Sequence, residues 1–215
     1  MRWRRAAALE SPPLEDHREY VGGLWDEIGA LQLRFLIERG LQPSDVLLDV
    51  ACGSLRGGVH FVRYLDVGNY LGIDKEQTLI DRGVELELGA ELYETKRPEL
   101  VVNDSFDFSS FSKRPDVSLA QSLFTHLSTD AIALCLTSLR AFVEPGHSFY
   151  ATYFDGDSTG NPDRSHDHGR FAYTSAELGM FGARAGWKTD SIGDWGHPRG
   201  QKMMLFVSGE EKDGG

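Results

Sequence analysis

The chain has 215 residues, 40% hydrophobic and 26% charged, enough for one sizeable α/β domain and short for two. Thirty-three acidic residues against 22 basic ones leave a formal charge of -11, a field that repels phosphate backbones and argues against nucleic acid as a partner. Its two cysteines, Cys52 and Cys135, are too few for a disulfide framework and lack metal-ligand spacing.

In chain order, residues 1–18 come first. Their apolar stretch, Ala6 to Leu9, is far too short for a signal peptide, so a disordered leader and a cytoplasmic location are the expectation. No apolar run approaches the roughly 18 residues of a membrane span. Residues 24–39 carry Leu24, Ile28, Leu31, Phe35 and Leu36 at helical spacing, with Gly40 as a stop. The run 46–50 is short and continuously apolar, as in a strand buried on both faces. A small-residue turn and a helix over 57–65 follow it. A second strand is predicted over 69–74 and a helix from Gln77 to Leu88. Weaker strands fall at 99–103 and 116–121. The helix 129–142 has Ser128 or Thr129 available as its N-cap, with Cys135 read as a core position. A fifth strand covers 147–154, a polar loop 155–170, and a helix 174–185. Two final strands, 187–192 and 201–207, flank an eight-residue turn, and 210–215 form a tail expected to be flexible. Strands alternating with helices imply a parallel sheet covered on both faces. The last two strands must be antiparallel, because a turn that short cannot make a parallel crossover.

In open α/β sheets the ligand lies beyond the carboxyl ends of the strands, at the first strand-to-helix turn. Here that turn runs from Asp49 through Ala51, Cys52, Gly53 and Arg56 to Gly57 and Gly58. Asp74 closes the second strand about 20 residues further on, where a carboxylate can accept from a ribose diol. A dinucleotide fingerprint would need glycines at 51, 53 and 56. The chain has Ala51 and Arg56, and arginine cannot reproduce the close helix–strand packing of the third glycine. The nicotinamide reading fails there.

The run Asp49-Val50-Ala51-Cys52-Gly53-Ser54 resembles motif I of the class I S-adenosylmethionine-dependent methyltransferases, with Ala51 replacing the first glycine. Asp74 matches that family's acidic residue, Asn103 to Phe106 its adenine-contacting segment, and Gln121 to Phe124 its strand-four motif. The resemblance covers roughly residues 24–207. It implies a Rossmann-like three-layer sandwich, α/β, with a mostly parallel seven-stranded sheet in the order 3-2-1-4-5-7-6 and an antiparallel C-terminal hairpin, all within one domain spanning 19–209. It also implies S-adenosylmethionine as cofactor. Ala51, Cys52 and Gly53 would pass under the methionine and sugar with their N–H groups facing them. Asp74 would hold the ribose, and Asp104 the adenine amino group, flanked by Ser105 and by Phe106 or Lys75. Gln121, beside Ser122, would offer its carbonyl to the methionine ammonium. The fork of donors on Arg56 suits the methionine carboxylate.

The acceptor site is expected at the same end of the sheet. Tyr20 and Trp25 on the N-terminal side, Phe124 after the fourth strand, His166 in the 155–170 loop, and Trp195, His197 and Arg199 in the hairpin turn are the candidate contacts. His126, directly after the strand-four motif, is the candidate base. A calcium loop at 155–166 is disfavoured because His166 stands where a glutamate is needed. Metal-dependent transfer is disfavoured because Gln121 stands where an aspartate ligand is needed. The expected reaction is methyl transfer to a small-molecule oxygen or nitrogen nucleophile, in a monomer or homodimer with no nucleic-acid or membrane partner. A catalytically silent binding module and aminopropyl transfer on the same fold are the alternatives.

Overall fold

The computed structural model describes residues 16–167 and 169–209. Within it, β1 (Leu47–Val50), β2 (Tyr70–Asp74), β3 (Glu99–Val102), β4 (Val117–Ala120) and β5 (Ser148–Asp155) are joined to β7 (Trp187–Asp194) and β8 (Lys202–Ser208) in one sheet. The order is β3-β2-β1-β4-β5-β8-β7, with a two-residue strand β6 (Ala172–Tyr173) beside the end of β5. The five strands from β3 to β5 in that order run parallel, and β8 lies antiparallel to both β5 and β7. This is the expected seven-strand order, with β6 as an addition that two residues between the 155–170 loop and the next helix could not signal.

Every residue of β1 and β2 is buried. Side chains alternate between sheet faces, and the two faces belong to two cores. Leu48, Val50, Phe149, Met204 and Phe206 pack with α6 (Thr129–Phe142) and α7 (Ser175–Arg184). Leu47, Leu119, Tyr150 and Met203 pack with α2 (Trp25–Glu38) and α3 (Gly58–Tyr64). This double cover explains why the first strand reads as a continuous apolar run.

Helix α4 (Gln77–Arg82) passes into a π-helical turn, Gly83–Leu88, and α5 (Gly89–Lys96) follows after a break at Gly89. A Cβ on Gly83 would lie 2.6 Å from the Ser54 carbonyl oxygen, so the glycine allows this helix to rest on the β1–α3 loop. Helix α5 was not foreseen, since Gly89 has φ +72° and reads in sequence as a stop. Helix α7 begins with a capping box between Thr174 and Glu177. Ser128 takes the N-cap position of α6, but its side chain makes no capping bond.

A short helix, α1 (His17–Tyr20), is capped by Asp16, whose carboxylate accepts from the Arg18 and Glu19 amides. Of the leader expected over 1–18, residues 1–15 lie outside the described residues, as does the tail 210–215; residues 16–18 are the cap and first turn of α1. No helix among the described residues is long and apolar enough to cross a membrane.

Candidate active site

Strand β1 lies between β2 and β4, which are reached by crossovers in opposite directions, and a crevice opens above its carboxyl end. The loop leaving it bends sharply: Ala51, Gly53 and Leu55 all have positive φ, at 64°, 54° and 68°. Two interactions hold that shape. The Cys52 amide donates to the Ile73 carbonyl at 3.0 Å, and the Gly53 amide donates to Asp74 Oδ2 at 2.8 Å. These amides therefore face β2, which corrects the expectation that they face a ligand. Ala51, Cys52 and Gly53 themselves line the crevice.

Asp74 is buried, and its other oxygen accepts from the Glu76 amide at 2.9 Å. Burial pushes its carboxyl upward, opposed by those two backbone donors. A carboxylate offers about four acceptor sites, so the remaining lone pairs are available to a ligand. Below the loop, the buried Asp49 accepts from the Tyr70 hydroxyl at 2.8 Å. Desolvation pushes the Asp49 carboxyl up to about 7, against the pull of the tyrosine hydrogen bond.

The crevice is a cavity of about 810 Å³, within the range of ordinary small-molecule sites. One end is lined by Asp74, Lys75, Asn103, Asp104 and Phe106. Lys75 forms an exposed ion pair with Asp167 at 2.6 Å, which ties the 155–170 loop to the end of β2. His126 and His166 line the cavity on that loop's side. His126 Nδ1 sits 2.8 Å from the Gly169 carbonyl oxygen. A carbonyl can only accept, so Nδ1 carries the hydrogen, and in the neutral ring the lone pair is on Nε2.

The other end is a buried polar network. Arg56 Nη1 donates to the carbonyls of Val21 and Gly23, each at 2.9 Å, and Nη2 donates to Gln121 Oε1 at 2.5 Å. Burial, with Arg199 nearby, lowers the Arg56 pKa to about 10, so the group is still a cation at neutral pH. Gln121 Nε2 donates to Ser122 Oγ at 2.6 Å, and Gln201 Nε2 donates to the same oxygen at 2.8 Å. Ser122, at φ +62°, is held through its amide by Thr152 Oγ1 at 2.7 Å. His197 accepts from the Arg199 amide at 3.2 Å, and burial followed by Arg56 and Arg199 lowers its pKa to about 4. It is neutral at physiological pH.

The N-terminal segment crosses this end of the cavity. Arg56 grips Val21 and Gly23, and the Arg199 guanidinium donates to the carbonyl of Gly22 between them. Further back, Glu87 receives hydrogen bonds from His17 at 2.6 Å and from Arg18 at 2.7 and 2.8 Å. Burial works to raise the Glu87 carboxyl, but these donors prevail and hold it below the usual range.

No protein-family model matches the chain. An uncharacterised methyltransferase of Schizosaccharomyces pombe is 24% identical over 164 residues, which are 70% of this chain. The chain spans 57% of that relative's length. Among solved structures, the magnesium protoporphyrin IX methyltransferase of Synechocystis PCC 6803 with bound S-adenosylhomocysteine superposes with a TM-score of 0.61 at 11% identity, covering 86% of this chain and 85% of that one. The CcbJ methyltransferase of Streptomyces caelestis superposes at 0.65 and 15% identity, over 85% and 90% of the two chains. The chain has the class I methyltransferase fold.

On this methyltransferase fold, the structure brings most of the expected residues to one cavity: Asp49, Ala51, Cys52, Gly53, Arg56, Asp74, Lys75, Asp104, Phe106, Gln121 and Ser122 from the expected cofactor set, and Tyr20, His126, His166, His197 and Arg199 from the expected acceptor and base set. Four expectations are corrected. Trp25 packs edge-on against His17 at 5.6 Å, under the Arg18 guanidinium, in the core and off the cavity. Phe124 is fully buried between Phe149 and Phe206. Trp195 stands edge-on to Phe35 at 5.5 Å beneath the hairpin turn, with its Nε1 buried and unpartnered among the described residues. Ser105 is exposed and turns back to Asn103 Oδ1 at 2.9 Å. In each case the aromatic or polar character was read correctly but the direction was not. Sequence reasoning also missed Gln32 and Gln201. Gln32 lies at helical spacing from Ile28 on the buried face of α2, and a polar residue inside an apolar stripe was the signal.

Proposed function

We propose that the chain is an S-adenosylmethionine-dependent methyltransferase that acts on a small-molecule oxygen or nitrogen nucleophile. One observation carries the reading: a buried carboxylate, Asp74, is fixed by two backbone amides across from a positive-φ loop at the sheet's switch point. The residues present suit the cofactor. Asp74 has acceptor capacity left for the ribose diol, Asp104 and Phe106 stand where an adenine would lie, and Arg56 keeps its charge beside the loop for the methionine carboxylate. When bound, the cofactor supplies an electrophilic methyl group: the nucleophile's lone pair forms the new bond to carbon while the carbon–sulfur pair returns to sulfur.

The chain's own contribution is position and proton handling. Holding the reacting atoms near 3–3.5 Å supplies much of the rate in such displacements. His126, with its ring oriented by Gly169, would take the proton of an acceptor that is protonated at working pH. The ligand named with the Synechocystis neighbour supports the cofactor assignment. A silent binding module would share the cofactor affinity and lack turnover. Aminopropyl transfer is less well supported, since Gln121 and Ser122 occupy the positions where carboxylates for a polyamine are needed.

The test is a calorimetric titration of the native chain and Asp74→Ala with S-adenosylhomocysteine. Micromolar binding by the native chain is expected. Loss of one charge-assisted hydrogen bond contributes about 1.5–3 kcal/mol, so the variant should bind roughly tenfold or more weakly. Absence of binding by the native chain would remove the function, and equal binding by both would remove Asp74 from the site.

A further inference from the structure

The end of the cavity beneath the N-terminal segment holds more positive charge than the chain neutralises. Arg56 and Arg199 grip three consecutive carbonyls, those of Val21, Gly22 and Gly23. A Cβ on Gly22 would lie 3.0 Å from Arg199 Nη1 and 4.0 Å from Arg56 Nη1, so the two guanidinium heads flank one backbone unit. Among the described residues neither forms an ion pair with a carboxylate; their partners are carbonyls and the Gln121 side chain. Asp49 is the carboxyl within electrostatic reach of Arg56, but its hydrogen bond goes to Tyr70. His197, neutral, stands beside both cations. In a chain of net charge -11, the two guanidinium groups gather positive charge at one end of the cavity, with Arg199 exposed at its rim, an arrangement that suits an anion.

A second observation points the same way. Gln32 is 2% exposed overall and lines the cavity beside Gly57, where an added Cβ would lie 2.6 Å from Gln32 Oε1. Its amide offers both donors and an acceptor to a ligand in the cavity. The cofactor assigned above brings one carboxylate, for which Arg56 is placed beside the β1–α3 loop. Arg199 comes from the hairpin turn on the far side of the network and is left without an anion.

We propose that the methyl acceptor is an organic carboxylate, its oxygens taken by the planar fork of Arg199, with the Gln32 amide as a further polar group in the same cavity. A guanidinium matches a carboxylate with two parallel donors. This inference rests on the methyltransferase reading and narrows it to a substrate class.

The experiment is calorimetry on the full chain saturated with S-adenosylhomocysteine, using benzoate and hexanoate as probes, their amides benzamide and hexanamide as neutral isosteres, and phenyl phosphate as the other anion. At least one carboxylate should bind about tenfold tighter than its amide, the scale of one charge-assisted hydrogen bond, and tighter than phenyl phosphate. Arg199→Gln should abolish that preference while still binding S-adenosylhomocysteine, and Arg199→Lys, which keeps the charge without the fork, should retain part of it. No preference for either acid over its amide, a preference that survives in Arg199→Gln, or tighter binding of phenyl phosphate overturns the carboxylate assignment. Failure of S-adenosylhomocysteine itself to bind the native chain overturns the methyltransferase reading instead, so the two failures are separable.

Discussion

Replacing Asp49 by asparagine should change how stability depends on pH. The carboxyl is 3% exposed in the middle of the sheet, and desolvation pushes it to about 7 from an ordinary 3.8, in spite of the hydrogen bond from Tyr70. The unfolded chain releases this proton near 4, and the folded protein keeps it until about 7. Between those values the folded state binds more protons, so stability falls as pH rises, by about 1.4 kcal/mol per unit. The penalty is absent below pH 4 and complete above 7, where it reaches about 4 kcal/mol. Asparagine has the same shape, can still accept from Tyr70, and does not titrate. Urea denaturation of both proteins, followed by far-ultraviolet circular dichroism at pH 5, 6, 7 and 8, isolates the contribution because groups that do not couple to Asp49 cancel in the difference. The stability of Asp49→Asn relative to the native chain should rise by about 2.5 kcal/mol from pH 5 to pH 8. A difference that stays constant, or moves the other way, would refute the assignment of a buried, proton-retaining Asp49.

Other substitutions separate core from cavity. Phe124→Ala should lower stability by about 3–5 kcal/mol, measured by urea denaturation, and leave S-adenosylhomocysteine affinity of the folded protein as it was, because the ring lies between Phe149 and Phe206 and off the cavity. Gly29→Ala gains up to about 1 kcal/mol of helix propensity. Its Cβ, however, would sit 2.5 Å from the Arg56 carbonyl oxygen. Overpacking by about 1–3 kcal/mol should prevail, and calorimetry should record a lower Tm. Arg56→Gln should weaken S-adenosylhomocysteine binding by about tenfold or more, the scale of one charge-assisted hydrogen bond, measured by titration. Once an acceptor is in hand, His126→Ala should reduce kcat by about 10²–10⁴ if proton transfer limits the reaction, with cofactor affinity retained.

The fold was legible because its signals are periodic. A continuous apolar run requires cover on both faces, and an eight-residue turn between the last two strands forces them antiparallel; the sheet order follows from those two facts and the resemblance. The bent loop after β1 was legible because chain geometry at a switch point restricts residue types, as at Asp49, Gly53 and Asp74. What escaped was direction. Trp25, Phe124 and Trp195 carry the composition of a binding wall, but whether an aromatic ring at a loop or helix start faces the cavity or the core depends on side-chain packing from α2, β5 and β8, far away in sequence. The same applies to Arg56: a residue read as an arm for a ligand carboxylate also ties the N-terminal segment to Gln121, and only the folded chain brings position 56 to position 121. Gln32 and Gln201 were overlooked because a single amide on an apolar stripe has no motif.

A crystal structure of the chain with S-adenosylhomocysteine tests the central claim most directly. The nucleoside should lie over the bend at Ala51 to Gly53, with both ribose hydroxyls within hydrogen-bonding distance of the Asp74 carboxylate and the methionine end toward Arg56. Density for the ligand anywhere else on the surface, or a ribose that leaves Asp74 bonded to Gly53 and Glu76 alone, would contradict it.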